Sequence, residues 1–407
     1  MGDKSLNSER VFALDALRGI MMLLGIVLHA AITYGVKDYQ AVWPLKDPNN
    51  SIGFDLIVGF IHAFRMPVFF VTAGYFAALL FYKKGPNAML LNRFKRIVLP
   101  FLAGVLIVYP LVVMAFTFSQ SAFAAASAPF ENAWQTIVTG QFLPFNVVHL
   151  WFLYFLALYA IAAWLLAKAF QMNTVITESA KKLFASILKN FWWRLFCMAS
   201  IFFLCLYWMG TPFILTNNKW DINPAVFVTY FIFFGTGWMI YKTNTLIGLA
   251  GYPILQLSAA SLLFLITSFT TWSAAEWVLP VRMAFTAVYS SFFIFGFIAF
   301  FLKYFNHYSR RVAYLMDASY WVYIIHLPVV SFIPGLMADL LLPTAVKFGI
   351  TLTTTSVICM LSYKYLVRGS FIGLFLNGKV LKRQTVNQPQ VFPMQPVTGT
   401  MPGEMVN

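Results

Sequence analysis

Ten apolar runs, each long enough to cross a lipid bilayer as a helix, recur along this 407-residue chain with mostly short polar stretches between them. They fall at about 12–34, 52–82, 97–118, 147–169, 192–212, 223–241, 246–270, 280–302, 314–337 and 346–367. A hydrocarbon core needs roughly 20 such residues at about 1.5 Å rise each. Backbone amides in lipid have no water to bond, so each run must satisfy its own hydrogen bonds as a helix. The expected fold is all-α, a polytopic membrane helix bundle of about ten transmembrane helices. Hydrophobic residues make up 60% of the chain and charged ones only 10%. Soluble domains carry about 25% charged residues, so a soluble fold is excluded and the lipid bilayer is the first partner expected.

The net charge of +15 raises nucleic acid as a partner, but the basic residues sit in short loops between apolar runs. That is the positive-inside pattern, and no nucleic acid is expected. With the N-terminus cytoplasmic, 21 of the 28 Lys and Arg fall in inside segments and five outside, while Arg18 and Arg65 lie within spans. An even number of spans then puts both termini in the cytoplasm. The outside stretch 119–146 has no Lys or Arg and is expected at the membrane surface; the inside stretch 170–191 is basic and expected to be short-helical. The second run is interrupted at Pro67, which removes a backbone donor, so a kinked or broken helix is expected there. Residues 1–383 read as one membrane domain and 384–407, rich in Gln, Pro, Thr and Val, as a disordered cytoplasmic tail. The first run is too long for a cleaved signal and reads as an anchor.

Ionisable groups inside spans are costly and mark function by default. Arg18 and His29 are eleven residues apart, which leaves them on one face of the first helix and about 16 Å apart along it. Asp55, His62 and Arg65 share a face of the second helix, either as a polar pocket or as a structural ion pair. His149 with Trp151 opens the fourth span, and Tyr320, Tyr323 and His326 follow at three-residue steps in the ninth. Arg93 and Arg96 precede the third span, where Arg forks suit phosphate oxygens. Spacing alone leaves structural and functional roles open for all of these. Cys197, Cys205 and Cys359 lie in apolar runs without metal or CxxC spacing, so no metal, disulfide or thiol chemistry is expected. No P-loop, nucleophile elbow or dinucleotide fingerprint is present. The residues support a polar, His-containing cavity without selecting its reaction, and a transporter or flippase of a glycan or lipid intermediate fits them equally well.

Five blocks carry a more specific signal: RVFALDALRGIMMLLGIVLHA, HAFRMPVFFVTAGYF, RFKRIVLP, HLWFLYFL and ASYWVYIIHLPVV. In this order they resemble the membrane acyltransferase 3 family across nearly the whole helical core. In particular they are similar to its glucan-biosynthesis branch, whose members are implied to succinylate periplasmic glucans of Gram-negative bacteria. Many family members carry an acidic block where this chain has HLWFLYFL, a departure that fits the glucan branch. The resemblance implies a multi-pass enzyme of the cell inner membrane. Such an enzyme moves an acyl group, succinyl or acetyl, from cytoplasmic acyl-CoA to a hydroxyl of an extracytoplasmic glycan. Acyl-CoA is a co-substrate, and no cofactor is implied. Carried over by residue, His29 is the candidate catalytic base, Arg18 its partner at the thioester end, and Arg93 and Arg96 the contacts for CoA phosphates. His62, Arg65, His149, Trp151, Tyr323 and His326 are expected to line the cavity.

Overall fold

The computed structural model describes residues 3–377 apart from 40, 41, 172, 173 and 306. The expected tail, 384–407, lies outside the described residues. Every regular element among those described is a helix. The long ones are α1 (Asp3–Ile32) and α2 (Ile52–Lys84), then, after the short α3 (Pro86–Arg93), α4 (Leu99–Phe123). The short α5 (Pro129–Val138) precedes α6 (Trp151–Gln171), α7 (Thr174–Lys189), α8 (Phe191–Met209) and α9 (Pro224–Lys242). The chain closes with α10 (Pro253–Phe269), α11 (Val278–Tyr304), α12 (Arg310–Phe332), α13 (Thr344–Ser362) and the short α14 (Phe371–Asn377).

Nine helices among the described residues are long and apolar enough to cross a membrane. The tenth expected span is α10, whose 17 residues reach about 26 Å at 1.5 Å each. Helix starts are set by local chemistry: Ser51 accepts from the Gly53 amide, Asn190 from Trp192 and Trp193, and Asn223 from Ala225 and Val226. Each side chain covers an amide the helix itself leaves unpaired. Gly85, at φ 94°, ends α2 and Pro86 opens α3, and a π turn over Phe94–Val98 carries Arg96 into α4.

The expected break at Pro67 is absent: α2 runs unbroken for 33 residues. Proline removes one hydrogen bond, and packed neighbours make that tolerable in a membrane helix. The basic stretch after α6 is helical, as α7, and the stretch 119–146 folds as the end of α4 and α5, packed back on α4.

Helices α1 and α2 form the centre. α1 packs on α2, α11, α12 and α13, and α2 packs on α9. Where α2 and α9 cross, Gly74 faces the Phe234 carbonyl and Gly237 faces the Val71 carbonyl, so any side chain there would force the backbones apart. The hydropathic core window of α2 is 72% buried and that of α13 only 22%. On the outer helices Ile107, Trp192, Phe196 and Leu204 point outward, a surface suited to lipid. The protein is polytopic.

Between α1 and α2 the described residues of the segment, 33–39 and 42–51, fold over the end of the bundle. It is pinned by a buried ion pair, Lys347 Nζ to Asp47 Oδ2 at 2.9 Å. The Asp47 amide also bonds the Thr33 carbonyl, and the Thr344 hydroxyl bonds the Asn49 carbonyl. This strap roofs the cavity described next.

Candidate active site

Where α1 stops and α2 begins, the helices part around a cavity of about 540 Å³. Seven residues singled out from sequence line it: His29, Asp55, His62, Arg65, His149, Trp151 and Tyr323. Met22, Met66 and Phe69 are its deepest residues along α1 and α2 and form the floor. His326, expected on the wall, is not among the lining residues. It is 1% exposed and sits behind His29.

His29 is half-buried and held on two sides. Its Nδ1 lies 2.9 Å from His326 Nε2. The two rings are parallel within 4° and their centroids are 5.1 Å apart, the arrangement of an in-plane hydrogen bond rather than a face-to-face stack. On another side the Trp43 ring lies 17° from parallel at 5.4 Å. Trp43 comes from the strap, where its indole donates to Thr33 Oγ1 at 3.0 Å and Phe116 meets it edge-on. Sequence reading missed Trp43 because it sits in a polar stretch with no periodicity to aim it.

Arg65 is 9% exposed. Its Nε donates to the Met21 carbonyl at 2.9 Å, and this is its only hydrogen bond among the described residues. The guanidinium occupies the notch over Gly25, its Nη2 only 2.5 Å from where a Cβ would stand. Gly25 is one turn before His29, so the guanidinium and the imidazole are neighbours on one wall. The ion pair considered for Asp55 and Arg65 does not form. Asp55 instead accepts from the Val36 and Lys37 amides at 2.6 and 3.2 Å. His62 is satisfied by the Ile214 carbonyl, a wall position.

Helix α12 sets two of the imidazoles. Pro328 has no N–H, so the carbonyl of Ile324, four residues earlier, lacks its helical donor. His149 Nε2 fills that vacancy at 3.1 Å, and the Tyr323 hydroxyl donates to the His149 carbonyl at 2.6 Å. His149 Nδ1 is buried with no partner among the described residues.

Arg18 is not brought to His29. It pairs with Asp15 at 2.9 Å, both side chains more than a third exposed, and its guanidinium lies 5.2 Å from the Phe76 ring centroid. It lies within electrostatic range of Arg93 and Arg96, and the Tyr320 hydroxyl ties in by donating to the Arg96 carbonyl at 2.8 Å. The three arginines form one cluster toward the opposite end of the bundle, with none of them lining the His29 cavity.

At the cavity mouth the structure adds cations that sequence reading placed only in loops. Lys37 Nζ lies 4.2 Å from the Phe213 ring centroid, and the Arg282 guanidinium is 5.9 Å from the same ring and 5.8 Å from that of Trp272. Partial desolvation pushes the Lys37 ammonium below its ordinary value; Asp55 opposes this and Arg282 adds to it. Arg65, Lys37 and Arg282 thus face one carboxylate, Asp55, among the residues lining the cavity. No three His, Cys, Asp or Glu side chains gather to hold a metal ion among the described residues.

A family model described as an acyltransferase domain, of the acyltransferase 3 type, matches residues 11–364. The chain belongs to that family. This acyltransferase is also similar over its whole core to curated relatives named glucans biosynthesis protein C. The Escherichia coli SMS-3-5 protein is 24% identical over 397 residues, covering 94% of this chain and 98% of the relative. The K12 protein is 23% identical over the same shares. No solved structure matches.

Proposed function

We propose that this acyltransferase works in the cell inner membrane and moves an acyl group from cytoplasmic acyl-CoA to a hydroxyl of an extracytoplasmic glycan. His29 is its general base. The observation that carries the reading is the pairing, on one cavity wall, of an imidazole with a guanidinium whose terminal nitrogens have no hydrogen-bond partner among the described residues. Acyl transfer to an alcohol needs these two parts: a base for the hydroxyl proton and donors for the oxyanion. As the hydroxyl oxygen bonds to the thioester carbon, its proton passes to His29 and the Arg65 fork bonds the carbonyl oxygen. The tetrahedral intermediate then expels the CoA sulfur, which takes the proton back from His29.

The charge pattern supports the orientation. Lys83, Lys84, Arg93, Arg96 and Lys242 gather at the end opposite the cavity, a pattern that favours the arginine cluster inside and the cavity outside. Arg18, Arg93 and Arg96 would hold CoA phosphates. The thioester would reach His29 along the α1–α12 seam, past Met22, a side chain flexible enough to move aside. Three cations against one carboxylate around the cavity favour succinyl over acetyl, since a succinyl group brings its own carboxylate.

The test is covalent. Purified protein in vesicles receives labelled acyl-CoA and glucan, and acylated glucan is measured by mass spectrometry. His29→Ala should abolish the product at unchanged membrane levels. Full activity in that variant, or passage of unmodified glucan with no acyl transfer by the wild type, overturns the reading.

A further inference from the structure

We propose that His326 is a positioning residue that fixes the proton of His29 on Nδ1 and so leaves Nε2, on the cavity side, as the base. The inference rests on the acyl-transfer reading above and deepens it. It begins with two backbone carbonyls. His326 Nδ1 lies 2.7 Å from the Tyr323 carbonyl oxygen and 3.1 Å from that of Val322. A carbonyl only accepts, so Nδ1 carries the hydrogen. A neutral imidazole has one such hydrogen, which leaves His326 Nε2 as a lone pair. That lone pair faces His29 Nδ1 at 2.9 Å, in the plane of both rings. His29 must therefore donate from Nδ1, and its own lone pair falls on Nε2.

The direction of this chain is built in. His326 is 1% exposed and stays off the cavity wall, while His29 lines it, so one ring is the backing and the other the working face. The charged and titratable groups facing the pair are Arg65 from α2, His149 in the turn just before α6 and Tyr323 of α12. None of them is a carboxylate, and a second proton on either ring would sit beside the Arg65 guanidinium without compensation. In the more familiar arrangement a carboxylate holds the base in its working tautomer; here a neutral imidazole anchored to two carbonyls does so.

The chemistry balances without moving the Nδ1 proton. The hydroxyl O–H breaks as Nε2–H forms, and Nε2–H later breaks to protonate the departing CoA sulfur. During the interval His29 is an imidazolium whose Nδ1–H bond to His326 is charge-assisted and stronger. His326 thus favours the charged state His29 must visit.

The experiment uses the full chain in lipid nanodiscs with ¹⁵N-labelled histidine, with His29→Ala identifying the His29 signals. In the wild type the His29 spectrum should show Nδ1 protonated and Nε2 bare. His326→Leu, which removes the acceptor but keeps apolar bulk, should mix the two forms. It should lower kcat by about 10²–10⁴-fold, the range of a disabled general base, with the KM for acyl-CoA little changed. His326→Gln offers an oxygen acceptor near the lost Nε2 and should recover most of that loss. A wild-type spectrum with His29 protonated on Nε2 overturns the proposal, whatever the variants do to folding. So does a His326→Leu protein with wild-type kcat when His29→Ala is inactive. Absence of acyl transfer by the wild type would sink the functional reading alone, and the spectrum would still decide what His326 does.

Discussion

One glycine in α1 gives up helix stability and makes room for a cation beside the cavity. In the middle of α1, Gly25 lowers helix stability by about 1 kcal/mol relative to alanine. It nonetheless admits the Arg65 guanidinium to the wall beside His29. Gly25→Ala should leave thermal stability in detergent unchanged or slightly raised while displacing Arg65. If Arg65 serves the oxyanion, acyl transfer should fall about 10²–10³-fold, as when one such donor is lost. Arg65→Met should lose rate to the same extent. Unchanged kcat in both variants would remove Arg65 from the chemistry. The sequence exposed Arg65 as a cation inside an apolar run, but not its partner. A glycine in a helix reads as a weakness until the neighbouring helix shows what fills the gap.

At the scale of elements, one buried ion pair joins the strap over the cavity to α13. Lys347 and Asp47 are 2% and 1% exposed. Removing one member leaves the other charged in an apolar setting, which costs about 3–5 kcal/mol, whereas replacing both by apolar groups is often close to neutral. Lys347→Met should lower the stability of the detergent-solubilised protein by roughly that amount, and Asp47→Leu added to it should restore most of the loss. Equal stability of the single variant and the wild type in thermal denaturation would show that the pair does not hold the strap. Hydropathy made the spans readable because lipid demands long helices, and the cost of polar and ionisable groups in lipid made most cavity residues readable. The strap was opaque for a physical reason. Residues 33–51 have no periodicity, and nothing in the sequence joins Lys347 to its buried partner Asp47, 300 residues away. Pro67 marked a candidate break that α2 does not show, since a residue that breaks helices in water is tolerated within a packed membrane bundle.

For the whole molecule, the arginine cluster lies apart from the His29 cavity, and on the proposed function each would serve one of the two substrates. Changing Arg93 and Arg96 together to Ala should raise the KM for acyl-CoA severalfold and leave that for the glucan unaltered. Equal acyl-CoA binding by this variant and the wild type would reduce the cluster to a signal for insertion. The split was half legible: the eleven-residue spacing of Arg18 and His29 placed them at different depths, but it also suggested one shared stripe, where the structure gives each its own neighbourhood. The floor of Met22, Met66 and Phe69 has a consequence for the cell that houses the protein. A water-filled passage wide enough for a thioester arm would also conduct protons and short-circuit the membrane potential. With sulfur and aromatic side chains at its floor, the cavity's lining ends short of the arginines, and on the proposed function an arriving thioester arm would have to displace that floor and fill the gap with its own bulk.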